Sequence, residues 1–133
     1  MRRGFTLLEL IVVIIIIGVL ASIGVVQYTA MIEKGRKAEA RAVLGSLRQL
    51  EVAQQQETGA YVALAALNSG VPDAACNAQY YFSYACAAGN GTCTATRCQA
   101  GGKTPNYTVA AGGLPVGYQI TLDINGTFAA NGN

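Results

Sequence analysis

Histidine is missing from the 133 residues, and so is tryptophan. Without His there is no imidazole to act as general base, proton switch or metal ligand. No nucleophile–base pair is recognisable anywhere along the chain, so neither catalysis nor a cofactor is expected. Charge is also scarce, at 12% Asp, Glu, Lys and Arg, and beyond Glu57 the acids are only Asp73 and Asp123. So small an excess of one sign gives no support to a general nucleic-acid binder, and nucleic acid is not indicated as a partner. Sixteen glycines and little charge suit a subunit that buries much of itself against its own copies.

What the chain does have is a near-continuous apolar run over residues 5–26, FTLLELIVVIIIIGVLASIGVV, beginning almost at the first residue. As a helix it extends roughly 33 Å, enough to cross the hydrocarbon core of a bilayer. One carboxylate, Glu9, interrupts it. A lone Glu at the membrane centre costs on the order of 3 kcal/mol. Either Glu9 sits near the interface and snorkels, or it meets a positive partner inside the apolar layer. Unpaired, a buried ion costs about 3–5 kcal/mol, so such a group accepts an incoming chain only in one register.

A secretory signal places its small-residue cleavage site after the apolar stretch, and Leu20-Ala21-Ser22-Ile23-Gly24 is a poor match to one. Here the short basic segment Met1-Arg2-Arg3-Gly4 ends in its small residue before the stretch. Gly4-Phe5-Thr6-Leu7-Leu8-Glu9 followed by the Ile/Val-rich run resembles the class III signal of type IV pilins and pseudopilins. That resemblance implies cleavage between Gly4 and Phe5 by a membrane-embedded prepilin peptidase, and N-methylation of Phe5. It implies that Glu9 pairs with the N-terminal amine of a neighbouring subunit in a helical filament. It also implies an inner-membrane assembly platform, driven by a cytoplasmic ATPase, that extracts the subunit. Many members have proline where this chain has Val26. Gly18 and Gly24 remain as helix-weakening positions, each costing about 1 kcal/mol relative to Ala, where a filament helix could melt locally. Loss of Arg2 and Arg3 with the leader would leave the mature chain about neutral.

The charges bear on orientation. Lys34, Arg36, Lys37 and Arg41 follow the run, which by count alone favours a cytoplasmic C-terminal side. They are interleaved with Glu33 and Glu39, begin well past Val26 and introduce a cysteine-bearing domain. N-in, C-out is therefore the expected topology, first in the inner membrane as a single-pass precursor and then at the cell surface.

Helical patterning continues past the membrane through Tyr28, Met31, Ile32, Gly35, Val43, Leu47 and Leu50. Glu33 and Lys37 are spaced for a pair on an exposed face. Gly59 is the natural left-handed cap, giving a helix over about residues 5–57 that is roughly 80 Å long. Tyr61–Leu67 reads as a loop or short helix, resembling the Gly-x-Tyr link of the family. Strands are predicted at Tyr80–Ala85, Asn106–Ala110 and Tyr118–Ile124, the last with Tyr118, Ile120, Leu122 and Ile124 on one face. Asn125-Gly126 predicts a type I′ hairpin returning through Thr127-Phe128-Ala129. A calcium loop at Asp123 and Asn125 is not favoured, because turn chemistry already explains them, and no metal is expected.

Cys76, Cys86, Cys93 and Cys98 are separated by nine, six and four residues, without the C-x-x-C spacing of zinc or redox sites. In an exported domain this small they predict a disulfide framework. Three connectivities are open. The reading favours Cys76–Cys86 with Cys93–Cys98, tying down a Gly/Asn/Thr-rich loop from Ala87 to Lys103.

The expected architecture is α+β: a leader at 1–4, a membrane or filament-core helix at 5–26, its outer half at 27–58, and a head at 59–133. The head packs three or four antiparallel strands on the helix. The expected function is a structural pilin of a type IV pilus. A type II secretion pseudopilin is the main rival, though this chain lacks the Trp-Gly-x-Pro-Tyr-like segment and acidic C-terminal ligands of those proteins. A minor or DNA-uptake pilin and a single-span anchored binding domain are the others.

Overall fold

The computed structural model describes residues 4–107 and 116–131. One helix, α1 (Leu7–Thr58), runs for 52 residues, or about 78 Å at 1.5 Å per residue. Its start is set by Thr6, whose side chain accepts from the Glu9 N–H while the Glu9 carboxylate accepts from the Thr6 N–H, a complete capping box. Its end is set by Gly59, left-handed at φ 79°, whose N–H donates to Gln55 O at 2.8 Å. Every residue from Gly4 to Thr29 is exposed, so the apolar half of α1 projects from the head with no partner among the described residues.

After Gly59 the chain passes through a single 3-10 turn, Leu64–Ala66, and forms strands β1 (Phe82–Cys86), β2 (Cys93–Arg97), β3 (Gln119–Leu122) and β4 (Phe128–Asn131). They make one antiparallel sheet in sequence order. Period-two alternation turns Phe82, Tyr84 and Cys86 of β1, Cys93, Ala95 and Arg97 of β2, and Ile120 and Leu122 of β3 toward α1. Tyr118, just before β3, continues this inward face. The outer half of the helix meets them with Ala40, Leu44 and Leu47, and Leu64 and Leu67 close the core. Edge-to-face ring pairs Phe82–Tyr118 at 5.7 Å and Tyr107–Tyr118 at 5.8 Å stiffen its middle. This is the expected α+β arrangement, with four strands.

Four local expectations fail. The stretch Ala87–Lys103 is not an open loop: it contains β2, whose inward residues Cys93 and Ala95 are too small to announce a strand. Asn106 and Tyr107 are not in a strand, and Tyr107 N–H instead donates to Cys98 O at 3.0 Å; residues 108–110 lie outside the described residues. The last hairpin is not a two-residue type I′ turn. Gly126 N–H donates to Asp123 O and Asp123 N–H to Thr127 O, both at 3.1 Å, with Gly126 at φ 95° and no positive φ at Asn125. That is a three-residue loop with a glycine bulge, selected because Asp123 Oδ1 accepts the Thr127 N–H at 2.7 Å.

The fourth concerns the helix. Tyr28, Met31 and Leu50 are exposed, and the buried face is Glu33, Ala40, Leu44, Leu47 and Glu51. A count of large apolar residues misses a face whose two ends are glutamates.

Candidate functional site

Two regions carry the chemistry. The first is the N-terminal signal. Gly4 and Phe5 precede the helix and are exposed, Phe5 at 81%. Glu9 folds back across the first turn, where its Oε2 accepts from Thr6 N at 3.2 Å and from Thr6 Oγ1 at 3.1 Å. A carboxylate held over the N-terminal end of a helix also meets the positive pole of the helix dipole. The turn thus places the Glu9 carboxylate against the Thr6 N–H, one residue along from the amine that cutting at Gly4–Phe5 would create. Beyond it α1 continues unbroken through Gly18 and Gly24, and a side chain added at either would meet nothing within 4 Å. Among the described residues, α1 is the helix long and apolar enough to cross a membrane.

The second region joins helix to sheet, and the sequence reading missed it. Glu33 is 3% exposed and does not pair with Lys37. Its Oε1 accepts from Arg97 Nε at 2.7 Å and from the Tyr118 hydroxyl at 2.8 Å, while Oε2 accepts from Arg36 Nη1 at 2.7 Å. Arg97, 1% exposed, spends its remaining donors on backbone carbonyls: Tyr81 O at 2.8 Å, Cys98 O at 3.4 Å and Pro105 O at 3.1 Å. Burial alone would push the Glu33 carboxyl up. Hydrogen bonds from Arg97, Arg36 and Tyr118 outweigh it and hold the group below its ordinary 4.5. Burial and the adjacent Glu33 push the Tyr118 phenol up. Lys37 instead lies over the Tyr118 ring at 5.0 Å. A usable signal did exist: Glu33 precedes Ala40 by seven residues on the buried stripe, and Arg97 follows Cys93 and Ala95 at period two. Recognising it required β2.

The disulfides differ from the favoured pairing. Cys86 and Cys93 are bonded across the β1–β2 hairpin, where they are directly opposed, with Cα atoms 4.0 Å apart. Cys98, leaving β2, is bonded to Cys76 ahead of β1, at a Cα separation of 5.9 Å. Strand register decides this: once β2 pairs with β1, Cys93 lies opposite Cys86 and Cys98 has passed beyond its end. Asp123 spends an oxygen on the hairpin turn, as turn chemistry requires.

An exposed apolar helix whose first turn is capped by Glu9, joined through a buried ion pair to a disulfide-braced sheet, fits a membrane-anchored precursor. Residues 1–25 match the prokaryotic N-terminal methylation motif, the class III signal that marks type IV pilin-like chains as prepilin peptidase substrates. No curated protein and no solved structure matches the chain.

Proposed function

We propose that the chain is the structural subunit of a type IV pilus, cut between Gly4 and Phe5, methylated on Phe5 and assembled through residues 5–26. The observation that carries this reading is the apolar half of α1, which coincides with the methylation motif at residues 1–25 and has no partner among the described residues. In the cytoplasmic membrane lipid covers that half; in a filament, copies of the same helix do. Apolar burial is worth about 25 cal/mol per Å² against water, but against lipid the gain is far smaller. Direction then has to come from machine work and from a specific contact. Glu9 supplies the contact: its carboxylate exchanges the Thr6 hydrogen bonds for the methylated amine of a neighbouring Phe5. A type II secretion pseudopilin shares this route through its N-terminal segment, and the head distinguishes the two less than the signal unites them.

Intact-mass analysis and N-terminal sequencing of protein sheared from cell surfaces test the reading. The expected product starts at methylated Phe5 and is lighter than the thiol form by one hydrogen per cysteine. An intact Met1 chain found only in the membrane fraction would overturn it.

A further inference from the structure

Glu51 lies near the end of α1, above the β1–β2 hairpin, and is 0% exposed. Its Oε2 accepts from Val62 N at 3.2 Å, and its Oε1 has no hydrogen-bond partner. A buried, unpartnered carboxylate oxygen is a costly thing to retain in a core. What lies beside it is the pair Cys86 and Cys93, and one ligand atom from each of the three residues falls within 4.8 Å of the others. In the disulfide form the sulfurs hold each other and offer the carboxylate nothing. In the dithiol form the same three side chains present two thiolates and a carboxylate, the donor set of a thiophilic divalent cation such as Zn²⁺. Strand pairing brings these cysteines together, so the site does not need the C-x-x-C spacing that the sequence lacks.

We propose that Glu51, Cys86 and Cys93 form a zinc-class cation site in the reduced chain, and that the cation and the Cys86–Cys93 disulfide exclude each other. Binding releases one proton from each thiol to solvent and leaves the ion with three protein ligands and one open position. Oxidation reverses it. The two thiolates give up one electron each to an incoming organic or protein disulfide, whose sulfurs take up protons and leave as thiols. The Cys86–Cys93 bond forms, and the cation departs with its charge unchanged. Before its cysteines are oxidised the head would thus have its hairpin closed by a metal in place of the covalent bond. The site is independent of the filament reading, which stands or falls on other measurements.

The test uses the full-length chain in detergent micelles, carrying Cys76→Ser and Cys98→Ser so that only the hairpin cysteines remain. After reduction with a phosphine under nitrogen it is titrated with Co²⁺, followed by near-ultraviolet absorption and then by Zn²⁺ competition. The expected result is one Co²⁺ per chain with a thiolate-to-cobalt charge-transfer band that Zn²⁺ abolishes. Cys93→Ser removes the band, and Glu51→Gln weakens binding by about ten-fold or more. Absence of the band overturns the proposal, as does unchanged affinity in Glu51→Gln. Should loss of Cys76–Cys98 unfold the head by circular dichroism, the wild type reduced only at Cys86–Cys93, with Cys76–Cys98 kept intact as checked by mass mapping, replaces it, with Cys86→Ser/Cys93→Ser as reference. Binding retained in that reference would also overturn the site.

Discussion

Glu33 and Glu51 stand about five turns apart on α1, on the same stripe of the helix, and both are buried against the sheet. Their surroundings are opposite. Glu33 receives three side-chain donors, from Arg97, Tyr118 and Arg36, and is held ionised. Glu51 receives one backbone N–H on one oxygen and nothing on the other, and its burial pushes the carboxyl up. The end of the helix–sheet interface nearer the apolar half of α1 is therefore fastened by charge. The distal end is fastened by apolar packing and the Cys86–Cys93 bond, with a carboxyl that adds little. The same residue type on the same face has two fates, and the difference lies wholly in what the strands bring to meet it.

Breaking the charged end has the largest expected effect. Arg97→Ala leaves Glu33 buried without its main partner and takes a donor from the Pro105 carbonyl, while Tyr81 O keeps the Cys98 N–H. The expected cost is about 3–5 kcal/mol, read as a large drop in the denaturation midpoint of the head. Combining it with Glu33→Gln should recover part of the loss, because the uncompensated charge disappears. An additive double mutant would mean that the two do not interact.

The disulfides come next. Loop-closure arguments give about 3 kcal/mol for Cys76–Cys98, which closes the longer loop, and about 2 kcal/mol for Cys86–Cys93. Replacing each pair by alanine should preserve that order in chemical denaturation, and peptide mapping without reduction should recover the two pairs as such. Finding Cys76 linked to Cys86 would remove the hairpin register from which the difference between the ends was built.

Acid should separate the two ends. For Glu33, the folded carboxyl titrates below 4.5, so its stabilisation is complete above that value and is lost as pH falls through the lower folded value. For Glu51 the folded carboxyl titrates above 4.5, so the folded state binds the proton more tightly and its penalty grows as pH rises past 4.5. Thermal unfolding against pH should therefore show an acid limb below about 4.5 that flattens in Glu33→Gln. Glu51→Gln should keep that limb and gain about 1 kcal/mol near pH 7, where the wild-type carboxyl is held against its burial. A loss on Glu51→Gln would mean that its free oxygen is satisfied after all.

How much of this was legible beforehand follows from the same contrast. The apolar run, Thr6, Glu9 and Gly59 lie in local patterns, and local patterns fix α1 to within two residues at its start. The β3 alternation was readable because Ile120 and Leu122 are large. β2 was not, since Cys93 and Ala95 are small and Arg97 reads as solvent-facing. Losing β2 cost the disulfide pairing, the partner of Glu33 and the true buried face together, because all three depend on which residues β2 sets opposite the helix and β1. The methylation motif was legible for a different reason: its residues are contiguous in sequence, and no tertiary contact is needed to collect them.

The smallest expected effect tests the one contact that spacing had assigned to the wrong partner. Lys37 is one turn beyond Glu33, and the i,i+4 rule alone would couple them. Its ammonium lies instead 5.0 Å from the centre of the Tyr118 ring, while Arg36 and Arg97 already occupy the Glu33 carboxylate. Lys37→Met keeps the packing of the stem and removes the charge, and should cost about 0.5–1 kcal/mol. A double-mutant cycle decides where that energy resides. Coupling to Tyr118→Leu with little coupling to Glu33→Gln places it on the ring; the reverse would restore the surface ion pair and make Glu33 a group shared between core and solvent. Added salt should leave the ring contact largely intact, since Lys37 is partly buried and its burial, with Arg41 nearby, already lowers the ammonium's proton affinity.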